Sequence, residues 1–261
     1  MICIIGGGPS GNYAASLLAK KHKVIVIEEH NKIGLPVQCT GIVTQNILNY
    51  CKPVVINKIS NVILHSPNRS LRLKLKTPNL ILDRARLDSM LADTAKKAGA
   101  RYLLGTKVEK ISRSKSSFIV KTSKASFRPA IVIGADGPLS TTAKALSLYK
   151  SKSHFITKQH VLNCKNENIV EFFFFEKGFG WIVPESRTKI RAGVATLDNP
   201  NQLFEQLQSK ARLAGKPIAV QGGLIPIFAW KGKRAQNRAY LIGDAAGFVK
   251  ATTGGGLVQA L

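Results

Sequence analysis

The chain opens on a run of apolar residues, Ile2–Ile5, and a second such run, Val24–Ile27, follows a stretch with helical spacing. Within residues 13–21 of that stretch, Ala14, Leu17 and Leu18 fall on one face. Unbroken apolar strands flanking an amphipathic helix predict a β-α-β unit whose strands are buried on both faces of a parallel sheet. Gly34, Pro36 and Gly41 then mark a loop, and residues 54–64 and 70–75 predict strands, the second alternating as Leu71, Leu73 and Leu75. Residues 84–98 predict a helix with Leu87, Met90, Leu91 and Ala95 on one face and Gly99 as its stop signal. Residues 131–133 predict another buried strand, ending in Gly134-Ala135-Asp136-Gly137.

From about residue 151 to 236 the texture changes to strands of mixed pattern at 169–175, 181–183, 190–195 and 218–225, with one helix near 202–214. This pattern predicts an antiparallel sheet inserted into an α/β nucleotide domain. Residues 239–242 return to an apolar strand, followed by Gly243-Asp244 and the turn Gly254-Gly255-Gly256. The expected division is a discontinuous Rossmann-like domain from 1–50, 78–148 and 237–261, with an antiparallel substrate domain from 51–77 and 149–236.

Composition adds one outlier. The 261 residues are 44% hydrophobic and 20% charged, which excludes disordered, collagen-like and coiled-coil classes. Lys and Arg total 39 against 14 Asp and Glu, a formal charge of +25, so the expected partners are anionic. The basic stretches 107–128, 144–165 and 231–238 lack the interleaved aromatics of a stacking platform, which places an anionic membrane face ahead of nucleic acid. A Lys-rich source proteome explains the same charge. No segment reaches the roughly 20 apolar residues of a spanning helix, and no leader peptide is expected ahead of the first strand. Cys3, Cys39, Cys51 and Cys164 form no CxxC and no metal-like pairing with the five His, so neither a zinc site nor a disulfide frame is expected. The expected setting is a reducing cytoplasm, with peripheral attachment to the inner face of the membrane.

The first chemical motif is Gly6-Gly7-Gly8-Pro9-Ser10-Gly11, a GxGxxG between a strand and a helix. Gly6 permits the tight turn, Gly8 the approach of backbone to a diphosphate, and Gly11 close packing of helix on strand. The helix N-terminus offers free N–H groups and the positive end of its dipole. Glu28 closes the second strand seventeen residues after Gly11, where a carboxylate accepts from ribose hydroxyls and repels a 2′-phosphate. At the far end, Gly243-Asp244-Ala245-Ala246-Gly247 predicts a strand running into a small-residue helix. An Asp there can accept from ribityl hydroxyls, and a glycine-led helix start can aim N–H groups at a flavin edge. Gly256 lies twelve residues further on.

Together with Gly134-Ala135-Asp136-Gly137, these motifs resemble the flavoprotein monooxygenase and reductase superfamily. Three further motifs, Pro36-Val-Gln-Cys39-Thr40-Gly41, Leu82-Asp-Arg84-Ala-Arg-Leu-Asp88 and Gly178-Phe179-Gly-Trp181-Ile-Val-Pro184, are similar to the geranylgeranyl reductase family. The resemblance runs along nearly the whole chain and implies an α/β fold of the glutathione-reductase/para-hydroxybenzoate-hydroxylase type, with FAD as cofactor. It implies cofactor contacts at Gly6, Gly8, Pro9, Ser10, Gly11, Glu28, Cys39, Thr40, Gly41, Arg84, Val108, Asp136, Gly243, Asp244, Gly255, Gly256 and Leu257. It puts the Cys39 loop near the flavin ring, with Cys39 as candidate catalytic residue, and Phe179, Trp181 and Pro184 on a lipid tunnel.

The residues taken alone leave alternatives: Cys39 as an inert turn residue, Trp181 as a core aromatic, Arg84 as a solvated first-turn charge. The implied activity is saturation of isoprenoid C=C bonds in membrane-lipid biosynthesis. Electrons would come from NAD(P)H or from a reduced, acidic electron-carrier protein, since only one dinucleotide fingerprint is present. An FAD monooxygenase shares the three nucleotide motifs, and a truncated flavoprotein that binds without turnover is the non-enzymatic alternative. Three departures from the family pattern stand out: a Cys39–Gly41 loop one residue short, Phe179 in place of Tyr, and Lys250-Ala251 in place of a proline. The family's C-terminal helical segment is expected to be absent after Leu261.

Overall fold

The computed structural model describes residues 1–149, 153–250 and 253–261. Ala251, one half of the Lys250-Ala251 departure, lies outside the described residues. The chain divides into two units, one of Met1–Pro36, Arg84–Lys152 and Pro226–Leu261, the other of Val37–Asp83 and Ser153–Ile225.

The first unit is built on a six-stranded sheet in the order Ala235–Gln236, Ala239–Leu241, Ile131–Gly134, Ile2–Ile5, Val24–Ile27, Arg101–Leu103. The central strands pair in parallel, Ile2 lying beside both Val24 and Ile131, and only Ala235–Gln236 runs antiparallel. The pleat explains why these strands are apolar throughout. Ile2, Ile4, Val24 and Val26 face one way, against Ala15 and Ala95 of the helices Pro9–Leu18 and Arg84–Lys97. Cys3, Ile5, Ile25 and Ile27 face the other way, against Val108, Phe118 and Val120 of a small antiparallel sheet. Burial raises the Cys3 thiol to about 12, so it serves as an inert core group.

The first helix begins at Pro9, four residues ahead of the start its apolar spacing predicts, because the proline ring holds φ at a helical value in the first position. The small sheet, Val108–Ser114, Ser117–Thr122 and Ser126–Phe127, occupies a stretch that sequence marked only as basic. Its inward residues Ile111, Phe118 and Val120 are buried, and the residues next to them are half-buried or exposed.

The second unit is an eight-stranded sheet ordered Ala219–Pro226, His154–Asn163, Lys189–Thr196, Gly178–Ser186, Val170–Phe175, Val55–His65, Ser70–Leu82, Ile42–Val43. The expected antiparallel arrangement holds for the meander and the hairpin but not where they meet. Val170–Phe175 runs parallel to Val55–His65, with Val170 beside Val62. These strands come from separate chain segments, so no tight turn fixes their relative direction. One face of the sheet carries the helix Pro200–Lys210, whose Leu203, Phe204 and Leu207 pack on Ile182, Ile190, Ala192 and Val194. That helix starts where the Asn199 side chain accepts from the N–H groups of Asn201 and Gln202, earlier than the predicted residue 202.

The division falls after Pro36, Asp83, Lys152 and Ile225, rather than after residues 50, 77, 148 and 236. The reason is pairing: Ile42 and Val43 bond to Ile81 and Leu80, which draws residues 37–50 and the end of the long strand into the second unit. No helix among the described residues is long and apolar enough to cross a membrane.

Candidate functional site

The three glycine-containing motifs of the first unit meet at the carboxyl edge of its parallel sheet. The strands Ile2–Ile5, Ile131–Gly134 and Ala239–Leu241 are neighbours, and each motif follows its strand. With Val24–Ile27 on the other side of the first strand, this is the point where an open parallel sheet leaves a crevice for a ligand. Gly6 has a φ of 102°, and a Cβ on it would overlap the Ala135 carbonyl. A Cβ on Gly11 would overlap the Gly6 carbonyl, while one on Gly243 would overlap the Ser10 hydroxyl. These three glycines are therefore dictated by packing of the motifs on one another.

Gly8 differs. Its φ of −74° suits any residue, and nothing lies within 4 Å of where its Cβ would stand. It is the N-cap of Pro9–Leu18, with no side chain capping the helix. Open space over a glycine at an uncapped helix N-terminus fits a dinucleotide diphosphate, which takes its negative charge to the N–H groups there.

Glu28 sits beside this loop. One carboxylate oxygen accepts from the Gly7 N–H at 2.6 Å, the other from the His30 N–H at 2.9 Å and lies 2.6 Å from His30 Nδ1. The carboxylate is thus fixed at the end of the second strand with acceptor capacity to spare for a ribose hydroxyl.

A second cluster forms around Arg84, at the start of its helix. Its Nη2 donates to both oxygens of Asp88 at 3.1 and 3.2 Å, and its charge also acts on Asp244. Burial pushes both carboxylic acids above the usual range, and the guanidinium opposes that rise. Asp244 Oδ1 lies 3.3 Å from the position of a Cβ on Gly256. Arg84 is therefore not a solvated first-turn charge: it links the helix to the Asp244–Gly256 corner.

One expectation is corrected here. Gly243–Ala246 is a single 3-10 turn rather than the start of a helix, because Gly247 takes a left-handed φ of 71° and closes it. A single turn has no helix dipole to aim at a ligand; this corner offers a buried carboxyl and glycine backbone. Leu257 lies in a turn closed by the Ala260 N–H on the Gly256 carbonyl. Asp136 spends both oxygens on its own loop, accepting from Ser140 Oγ, Thr142 N and Thr142 Oγ1 at 2.6–3.0 Å. Val108 is buried in the core, and Gly255 accepts from the Lys250 N–H.

The second unit holds the remaining candidates. The Cys39 carbonyl accepts from Arg191 Nη1 at 2.6 Å, and the Gly41 N–H points at Cys39 Sγ at 3.4 Å. Thr40 Oγ1 accepts from the Ile42 N–H, and Gly41 has a φ of 78° against the Leu82 carbonyl. Trp181 is only 6% exposed, sits among Ile59, Val170, Val183 and Ala195, and donates from Nε1 to Gln159 at 2.9 Å. Phe179 packs edge-on to Phe155, and the Pro184 carbonyl accepts from Asn57. A cavity of about 350 Å³ in this unit is lined by His65, Glu171, Lys210 and Arg212 among others, and by none of these candidates.

Comparison with known proteins fits this geometry. Residues 4–54 match the NAD(P)-binding Rossmann-like domain family. An uncharacterised protein of Methanocaldococcus jannaschii is 29% identical over 98% of this chain and 70% of its own length. Digeranylgeranylglycerophospholipid reductase 2 of Methanosphaera stadtmanae is 28% identical over 100% of this chain and 74% of its own. The crystal structure of a geranylgeranyl bacteriochlorophyll reductase-like protein from Thermoplasma acidophilum superposes with a TM-score of 0.90 at 22% identity, over 99% of this chain and 74% of that one. The chain is thus similar along its whole length to proteins named as digeranylgeranylglycerophospholipid reductases, at identities below 30%. Its fold is also that of halogenase PltM, solved in complex with FAD, at a TM-score of 0.76 and 17% identity over 99% of this chain and 66% of that one.

Sequence reasoning missed the residues that hold the site residues in place. Asn12 is fully buried, donates to the Gly7 and Asp88 carbonyls at 2.7 and 3.2 Å, and accepts from the Tyr102 hydroxyl at 2.8 Å. The hydroxyl's burial raises the Tyr102 pKa, so it stays a donor. Asp88 had a signal, an acid four residues after Arg84 on one helix face. Arg191 had another, a charge set between the apolar Ile190 and Ala192 of the strand Lys189–Thr196. His30, which orients Glu28, had none beyond adjacency.

Proposed function

We propose that this chain is an FAD-dependent reductase that saturates isoprenoid C=C bonds in the geranylgeranyl chains of membrane lipids. The observation that carries the reading is the convergence of the glycine loop, Glu28, Arg84, Asp244 and Gly256 at one sheet edge. Once bound and reduced by the electron donor, FAD would supply the hydride for one carbon of the double bond. The first unit's part is to bind and orient. Gly8 and the N-terminus of Pro9–Leu18 take the diphosphate, Glu28 accepts from the adenosine ribose, and the Asp244–Gly256 corner receives the ribityl and ring end.

The second unit supplies the lipid side. Phe179 lines the isoprenoid path beside the core indole of Trp181, with Pro184 buried further along the same strand, and Cys39 Sγ donates the proton to the other carbon. Electrons enter from NAD(P)H or from a reduced electron-carrier protein.

The test begins with the purified chain and added FAD. Uptake of a flavin spectrum that dithionite bleaches is expected. Anaerobic turnover should then add two hydrogens per double bond to a geranylgeranyl glycerophospholipid, read by mass spectrometry. A chain that takes up no FAD overturns the reading. Rapid oxygen consumption with an aromatic or polyene substrate and no added hydrogens reassigns it to the monooxygenases. Cys39→Ala should retain FAD and lose reduction; unchanged turnover removes the thiol from the mechanism.

A further inference from the structure

Trp230 is 86% exposed, the most solvent-facing large apolar side chain among the described residues. It stands on a loop of the first unit that the fold holds in one shape. Arg234 stacks on the Tyr149 ring with 4.2 Å between guanidinium and centroid, and lies 5.5 and 5.6 Å from the rings of Phe228 and Phe248. Its Nη2 donates to the Ala229 carbonyl at 2.6 Å, its Nε to the Ala246 carbonyl at 2.8 Å, and its Nη1 to the carbonyls of Trp230 and Gly232. The Tyr149 hydroxyl accepts from the Ala229 N–H, and the Tyr149 N–H donates to the Lys233 carbonyl. At Gly232 a φ of 139° and the Tyr149 ring both exclude a Cβ.

A half-buried cation with four carbonyl partners and three aromatic neighbours thus fixes a loop whose tip presents an indole to solvent. On either side of that tip Lys231 and Lys233 are exposed, and the half-buried Phe228 meets Trp230 edge-on at 6.2 Å. Nothing in the core needs Trp230, and a flexible loop would not require the clamp.

We infer that the Trp230 loop is the attachment point of this protein to an anionic bilayer. Indole is the side chain that partitions to the headgroup level, with an apolar body and a polar N–H. Lysines flanking it add attraction to anionic headgroups, within a chain of net charge +25. A preformed loop enters the interface without first having to order itself. The inference deepens the proposed lipid reduction by naming the surface that meets the membrane, yet its test does not depend on turnover.

Trp230 and Trp181 are the two tryptophans of the chain, one exposed and one buried. Tryptophan emission therefore isolates the event: Trp181 gives a constant background and Trp230 reports insertion. The full chain is titrated with phosphatidylcholine vesicles and with vesicles of phosphatidylcholine and phosphatidylglycerol. The anionic vesicles should bind it and shift emission to the blue, while phosphatidylcholine alone binds far more weakly.

Trp230→Ala should abolish the shift and lower partitioning roughly tenfold. The double change Lys231→Gln and Lys233→Gln should lower it by a similar factor at low salt. Leu197→Ala, which removes a 59%-exposed side chain of the second unit, should leave it unchanged. FAD titration of each variant separates the two readings, since Trp230→Ala should take up FAD like the parent. Vesicle binding without a change in emission, or equal partitioning of Trp230→Ala, overturns the inference. A blue shift on single-stranded RNA but not on vesicles does the same and assigns the loop to base stacking.

Discussion

The two units use buried polarity in opposite ways. In the first, polar groups gather where glycines bring backbone against backbone: Glu28 holds the Gly7 N–H, and Asp88 and Asp244 sit around Arg84. In the second, the polar groups that are buried serve the sheet: Gln159 takes the Trp181 indole proton, and Arg191 ties down the Cys39 carbonyl. In the first unit Gly8 is the marked position that neither packing nor backbone conformation explains, whereas Gly6, Gly11 and Gly243 are set by contact of the motifs with one another. Those that the family resemblance marks on the Gly178–Ser186 strand sit where ordinary core packing already explains them. A functional motif is most informative where the fold alone would have chosen a different residue.

The sharpest way to break this contrast is to fill a glycine that packing dictates. Gly11→Val should remove the native fold of the first unit, since its side chain would overlap the Gly6 carbonyl. Thermal unfolding and FAD uptake should both be lost, and a folded, flavin-binding variant would refute the packing argument. In the second unit, Trp181→Ala should cost about 3–5 kcal/mol of stability in denaturant unfolding, the range for deleting a buried aromatic. A cost under about 1 kcal/mol would mean that the indole fronts a cavity rather than a core.

Gly8 separates the two kinds of glycine. Gly8→Ala has room and an ordinary φ, so the chain should fold, losing at most about 1 kcal/mol at the cap. Flavin affinity should nevertheless fall about tenfold or more, because the methyl stands where a diphosphate would lie. Unchanged affinity would move the diphosphate away from this loop.

How far the sequence reached follows from the same physics. The β-α-β opening and the parallel core were legible because strands buried on both faces must be apolar throughout, as Ile2–Ile5 and Val24–Ile27 are. The sheet over Val108–Ser114 and Ser117–Thr122 was hidden, since its few buried apolar residues are spread among polar and charged ones. The parallel contact of Val170–Phe175 with Val55–His65 was equally hidden, being a pairing between segments that no turn connects. At the site, glycines and charged residues with a backbone reason could be picked out by spacing. Asn12, buried beneath the loop and bonded to Gly7 and Asp88, could not, because a polar residue in a helix gives no sign of facing inward.

The smallest expected effect is read as a sign. Asp88 and Asp244 have raised pKa values in the folded chain through burial, with Arg84 opposing. The native state therefore holds their protons more tightly than the unfolded state does. Their contribution to stability is full below the unfolded carboxylate range and is lost as pH rises through the folded values. Asp244→Asn removes one of these titrations, so its stability relative to the parent should grow from acid to neutral pH. Arg84→Gln removes the opposing charge from both acids, so its stability relative to the parent should shrink over the same interval. Denaturant midpoints measured across that interval give the two slopes. Opposite signs place the three side chains in one electrostatic cluster; parallel curves for all three proteins would dissolve it, and with it the claim that Arg84 organises the Asp244–Gly256 corner.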